Sequence, residues 1–230
     1  MQNTISKKNH QWKIVSCILL VVFFSVGCNE NEGGKHKKTD TAIITKDTSL
    51  VPPKRSETVL KQDTAKLLDT LATTVLTTLK ANAFTQLASL VHPVMGLRFS
   101  PYGHIDTVHY HSFSGKQIQE LAQTNKKIKW GIFDGSGEPI ILNIHNYFKR
   151  FVYDVDFLHA EKKSFDETAA AGNTANNISE VYPQAHYIEY YFAGFKPEYG
   201  GMDWKAIRLV FSYYQNKAYL IAIVHDQWTI

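Results

Sequence analysis

His104, Asp106, His109 and His111 crowd into one short stretch, and imidazole with carboxylate is the usual ligand set for zinc and related ions. If the backbone there is extended, His109 and His111 share a face. A stable site needs three or four converging ligands held by outer partners, and spacing places only these two. They read as surface histidines, and the chain implies no metal or other cofactor. Asp134-Gly135-Ser136-Gly137-Glu138 sets oxygens at alternate positions, like part of a calcium loop. It lacks the distal bidentate carboxylate, so a tight turn with Asp134 bonded to its own backbone is the simpler expectation. A serine-hydrolase elbow is excluded, because Asp134 stands where G-x-S-x-G requires glycine.

His225-Asp226 looks like an acid–base dyad, yet neighbours on a strand point to opposite faces. His225 should instead share a face with Tyr219, Ile221 and Ile223, as a structural histidine or, since imidazole titrates near neutrality, a pocket base. Arg98 and Arg208 interrupt apolar strands. Either could hold an anion, stand as an outer-face charge, or complete an ion pair with Glu189 or Asp203. Ile207, Leu209 and Phe211 should line the face that Arg208 avoids. Asp154 and Asp156 recur at period two and read as capping or loop residues rather than a catalytic pair. Tyr182, Tyr187, Tyr190, Tyr191, Phe192, Phe195, Tyr199 and Trp204 form an aromatic-rich run, expected as core or cavity wall. The candidate pocket set is Arg98, Tyr102, Asp134, Glu138, Asp203, Trp204, Arg208, His225 and Trp228.

These residues need elements to position them. Leu67, Leu68, Leu71, Val75, Leu76 and Leu79 fall at helical spacing behind Asp63, a possible cap. A second short helix spans residues 83–91 and stops at His92-Pro93. Leu97-Arg98-Phe99 reads as a strand, and Ser114 with Gln117 as a capping box opening a helix. Residues 128–133 form a strand ending at the 134–137 turn, and 144–151 a helix with Tyr147, Phe148 and Phe151 on one side. The last third is strand-rich: 160–165, 187–192, and a hairpin of 206–214 and 219–225 around Asn216-Lys217. Gly172 to Asn177 reads as a loop. Helices followed by antiparallel strands give an α+β class.

The N-terminus carries a different chemistry. Lys7, Lys8 and Lys13 precede the apolar run 14–24, and the stretch ends Ser25-Val26-Gly27-Cys28. At about 1.5 Å per residue the segment to Gly27 falls short of the ~30 Å hydrocarbon core, so a cleaved signal is expected rather than a spanning helix. Residues 1–27 are then the signal, Cys28 the lipidation site, 28–61 a polar tether, and 62–230 a single domain. With Cys17 removed and Cys28 acylated, no cysteine is left for a disulfide, thiolate or metal site. The whole chain has 25 basic and 21 acidic residues, but residues 62–230 hold 15 against 16. That balance argues against a nucleic-acid partner, which requires a clustered basic face.

Two resemblances add to this. Ser25 to Cys28 resembles the lipobox of bacterial lipoproteins, which implies a membrane partner through acyl chains and an extracytoplasmic place in the cell envelope. Asn29 after the cysteine resembles the outer-membrane pattern. His92-Pro93, Gly96 through Tyr102, Trp130-Gly131, Asp134 through Pro139, Phe151 through Asp154, Gly172 through Thr174, Glu180 through Pro183, Gly201 through Trp204 and His225 through Thr229 resemble a family of bacterial secreted proteins and lipoproteins of uncharacterised activity. The order of elements is similar to the nuclear-transport-factor-2-like, cystatin-like domain. That likeness implies N-terminal helices packed on a strongly curved antiparallel sheet, cone-like, with a cavity at its wide end. The functional expectation is a non-catalytic anchored module that binds a small molecule or an envelope partner in an aromatic-lined cavity. One alternative is an isomerase or dehydratase using His225 or Asp134, with Tyr102 or Arg98 steadying negative charge. Another is a structural interaction module with a filled core.

Overall fold

The computed structural model describes residues 57–169 and 175–229. The expectations for the signal, for Cys28 and for most of the tether lie outside these residues, as does part of the 172–177 loop. Helix α1 (Glu57–Lys80) starts six residues before Asp63, the residue expected to cap it. Its buried stripe is Leu68, Ala72, Val75, Leu76 and Leu79, the i, i+4, i+7, i+8, i+11 rhythm of one helical face. Helix α2 (Phe84–Leu90) follows a turn at Asn82, which sits at φ 51. Helix α3 (Gly115–Ala122) opens on the predicted capping box. The Gln117 amide donates to Ser114 Oγ, and the Gln117 side chain receives the Ser114 amide at 2.8 Å. Helix α4 (Ile144–Phe151) buries Ile144, Tyr147, Phe148 and Phe151. Helix α5 is a single turn, Ile178–Val181.

Strands β1 (Leu97–Ser100), β2 (Ser112–Phe113), β5 (Lys162–Phe165), β6 (His186–Phe192), β7 (Lys205–Tyr214) and β8 (Lys217–Gln227) form one sheet in the order β2-β1-β8-β7-β6-β5. Strands β3 (Ile128–Ile132) and β4 (Pro139–Leu142) form a separate hairpin. The β7–β8 turn is the two-residue Gln215-Asn216, both at positive φ, as a tight hairpin of this hand requires.

The cone expectation is overturned. The six-stranded sheet is open and uncurled, with β2 and β5 as its edges among the described residues. It is also mixed rather than antiparallel: β1 lies parallel to β8, with Arg98, Phe99 and Ser100 against Ala222, Ile223 and Val224. A cone needs one bare concave face. Here side chains on both faces are buried, so curling would expose one packed layer. The nuclear-transport-factor-2-like, cystatin-like assignment therefore does not hold.

The two layers differ. Helices α1 to α4 and the β3–β4 hairpin cover one face, over Phe99, Ile188, Tyr190, Ile207, Leu209, Phe211, Leu220 and Ile223. The opposite face is covered by the loop 101–111 and α5. It has a small cluster of Ile105, Ile178, Tyr187, Val210, Ile221, Ala222 and Val224. A register shift between Val210 and Phe211 leaves Ile221 as an extra residue of β8. This bulge reverses the alternation. Leu220 and Ile223 face the helices while Ile221 and Ala222 face the loop. His225 therefore shares a face with Ile223, but not with Ile221.

Candidate functional site

Strand β8 sends His225 and Asp226 to opposite layers. On the helix side His225 is fully buried, with Nδ1 3.2 Å from the Pro101 carbonyl and its ring edge-on to Phe151. Its Nε2 lies 3.3 Å from Asp154 Oδ1, too poorly aligned for a hydrogen bond. Lys205 pairs with the other Asp154 oxygen. Burial pushes the Asp154 carboxyl up, but His225 and Lys205 outweigh it and hold it below the ordinary value. On the loop side Arg208 is also fully buried. Its Nε donates to Glu189 at 2.6 Å and its Nη1 to Asp226 at 3.0 Å. Glu189 faces Arg208 directly across the β6–β7 pair. Burial raises the Asp226 carboxyl, and Arg208 offsets this only in part. Asp226 packs against Gly103, where a Cβ would stand 2.4 Å from Oδ2, so a residue without a side chain is needed at that close approach. Arg208, Glu189 and Asp226 thus pair with one another inside the fold.

Arg98 is on the loop side as well. Its guanidinium donates to the Tyr110 carbonyl and, at 3.2 Å, to the Tyr182 hydroxyl. Ser100 Oγ donates to the Tyr102 and His104 carbonyls, and the Asn177 amide clasps Ile105 by both N–H and C=O. The loop 101–111 is thus fastened across the sheet at Ser100, Asn177 and Arg98.

At its outer side this loop meets the 132–137 turn and forms an open groove of about 330 Å³. Tyr102, His104, Asp106, Tyr110, Phe133 and Asp134 are among its walls. Burial raises the Tyr102 hydroxyl, which also meets the Asp134 backbone N–H. Burial likewise pushes Tyr110 up to about 12. The Tyr110 ring packs on Gly131, where a Cβ would come within 2.5 Å of it. Beneath lies Tyr147, stacked on Trp130 at 4.0 Å and fully buried. Its hydroxyl has no hydrogen-bond partner among the described residues, as is also true of His225 Nε2 and Asp154 Oδ1, and burial raises it. An orphaned buried hydroxyl costs about 1–3 kcal/mol. Arg150 covers the flank, its guanidinium 4.6 Å from the Phe133 ring centre and 5.3 Å from that of Phe151.

The sequence-predicted pocket residues divide accordingly. Tyr102 and Asp134 meet in the groove, and Glu138 is exposed at the end of the same turn. Arg98 and Arg208 are engaged on the loop-side face, and His225 on the helix-side face. Asp203 accepts from the Lys196 amide at 2.9 Å and braces its own loop. Trp204 is buried near Tyr191, and Trp228 is partly exposed beyond β8. His225, Asp134 and Arg98 share no concave site. His109 bonds Asp106, and His111 is exposed; no group of three potential metal ligands occurs among the described residues. Tyr110, Tyr147 and Arg150 were not anticipated as site residues. The one signal for them was apolar helix periodicity at Tyr147, which reads as core.

No family model, curated protein or solved structure matches the chain. The resemblance to a bacterial secreted-protein family is thereby withdrawn. The aromatic run from Tyr182 to Trp204 does not wall one cavity: Tyr190 joins the helix-side core, Tyr187 the loop-side cluster, and Tyr199 is exposed. A larger open cleft between α2 and α3, about 730 Å³, is lined by residues such as Gln86, Ser89 and Gln119 and offers no titratable group.

Proposed function

We propose that this chain is a lipid-anchored binding module of a bacterial envelope, and that its globular part takes a small ligand in the groove between the loop 101–111 and the 132–137 turn. One observation carries the reading. Arg208, Glu189 and Asp226 are consumed in an internal cluster, whereas the groove keeps phenols and the Asp134 carboxylate open at the surface. What the structure itself establishes is coarser: a globular domain with buried aromatic clusters, in which no helix of the described residues is long and apolar enough to cross a membrane.

Anchorage through Cys28 rests on the residue order Ser25-Val26-Gly27-Cys28 behind an apolar run. Two acyl chains anchor stably where one is marginal, at about 0.8 kcal/mol per buried CH₂.

Native mass spectrometry of the full chain, extracted from its own membranes in mild detergent, tests both parts. The expected spectrum shows a diacylated or triacylated Cys28 and a non-covalent adduct that Asp134→Asn weakens. Absence of acyl mass removes the anchor; absence of an adduct removes the binding reading.

A further inference from the structure

We propose that the groove takes a neutral, hydroxyl-rich ligand of the saccharide class. This rests on the groove being a binding site at all.

The wall offers donors and acceptors together. Burial raises the Tyr102, Tyr110 and Tyr147 phenols, so all three keep their protons at neutral pH. The Tyr102 hydroxyl can both donate and accept. Asp134 supplies a carboxylate acceptor. A ligand hydroxyl, at once donor and acceptor, complements such a wall at several points.

Charge argues against an ionic ligand. Asp106 is engaged by the Val108 and His109 amides and by the His109 ring, which leaves it closed to a ligand. Arg150 stands over the ring of Phe133, which lines the groove beside Asp134, so both signs of charge border it. An ammonium would meet Arg150, and a phosphate would meet Asp134. Ile132, 44% exposed, and half-buried Phe133 add apolar surface for the C–H faces of a sugar ring. The volume, about 330 Å³, is at the lower end of ligand sites, which span about 300–1,000 Å³.

Tyr147 stands behind this wall rather than in it: its ring is 5.4 Å from that of Phe151, which is 5.9 Å from the groove residue Tyr102.

The test labels the full chain, in detergent micelles, with 3-fluorotyrosine. Single Tyr→Phe variants identify the resonances of Tyr102, Tyr110 and Tyr147. Glucose, cellobiose, lactose and diacetylchitobiose are titrated in turn, then tetramethylammonium chloride and inorganic phosphate. At least one saccharide is expected to shift the Tyr102 and Tyr110 signals saturably while Tyr190 and Tyr213, remote from the groove, stay still. Asp134→Asn, a change at an exposed turn that leaves the core intact, should then weaken binding about tenfold, near 1.4 kcal/mol. If only tetramethylammonium or phosphate shifts those signals, the saccharide class is wrong and the binding reading survives. If no probe shifts them, both fall.

Discussion

The two faces of one sheet are stabilised by different means. Under the helices, Phe99, Trp130, Tyr147, Phe148 and Phe151 form a continuous set of ring contacts at 4.0–6.0 Å. Area does the stabilising there, since each aromatic side chain buries about 150–250 Å². Under the loop 101–111 the apolar cluster is small, and the same sheet instead buries Glu189, Arg208 and Asp226. Such a layer holds by polar matching: every charge must find a partner, and the loop is held at Ser100, Asn177 and Arg98. The contrast teaches why the groove is where it is. A loop fastened at a few polar points can present side chains outward, while a close-packed helix layer spends its side chains inward.

Removing one key residue from each layer should give the largest effects. Phe151→Ala should destabilise by about 3–5 kcal/mol through lost area and a cavity, seen as a lower urea midpoint. Arg208→Met should cost about 3–5 kcal/mol for another reason, two buried carboxylates deprived of their guanidinium. The two mechanisms separate in a triple variant. Glu189→Leu with Arg208→Met and Asp226→Leu should recover most of the single-variant loss, because apolar replacement of a whole buried ion cluster is often neutral. No recovery would mean that polar matching does not govern the loop-side layer. A smaller effect, about 1–3 kcal/mol, is expected from Asn177→Ala, which leaves the Ile105 N–H and C=O unpaired.

Acid should act oppositely on the two layers. Asp154 is held below its ordinary value of 3.8, so its pairing stabilises above that value and is lost as pH falls through the lowered pKa. Asp226 is raised above 3.8, so its contribution is greatest in acid and is lost as pH rises through the raised pKa. Urea midpoints followed from neutral to acid pH should fall less steeply in Asp154→Asn than in the parent, and more steeply in Asp226→Asn. Equal slopes would remove the distinction.

What could be read from the sequence was local. Ser114 and Gln117 specify a helix start by themselves. The apolar period of residues 144–151 specifies α4, and the turn signal at Asn216-Lys217 marks the hairpin one residue late, since the turn is Gln215-Asn216. The separation of His225 from Asp226 follows from strand alternation alone, and Arg208 finds Glu189 because both lie in strands that pair. What escaped was non-local or short. The parallel pairing of β1 with β8 joins residues more than a hundred positions apart, and no pattern in Leu97–Ser100 states its partner. The bulge at Ile221 shifts the face of everything before it. Strand β2 has two residues and α5 four, too few for a period. Asp154 was read as a cap because its partner, His225, arrives only through tertiary structure. The groove escaped for the same reason: Tyr110, Tyr147 and Asp134 come from three separate elements.

Hydrogen–deuterium exchange tests most directly whether the loop-bordered groove is an occupied site. The full chain, purified from its own membranes in mild detergent, is compared with the same material denatured and refolded to strip any bound molecule. Occupancy predicts that protection falls on residues 101–111 and 132–137 after stripping, while α1 and α4 stay protected to the same degree. Unchanged exchange in the loop and the turn, or an equal loss across both layers, would contradict it.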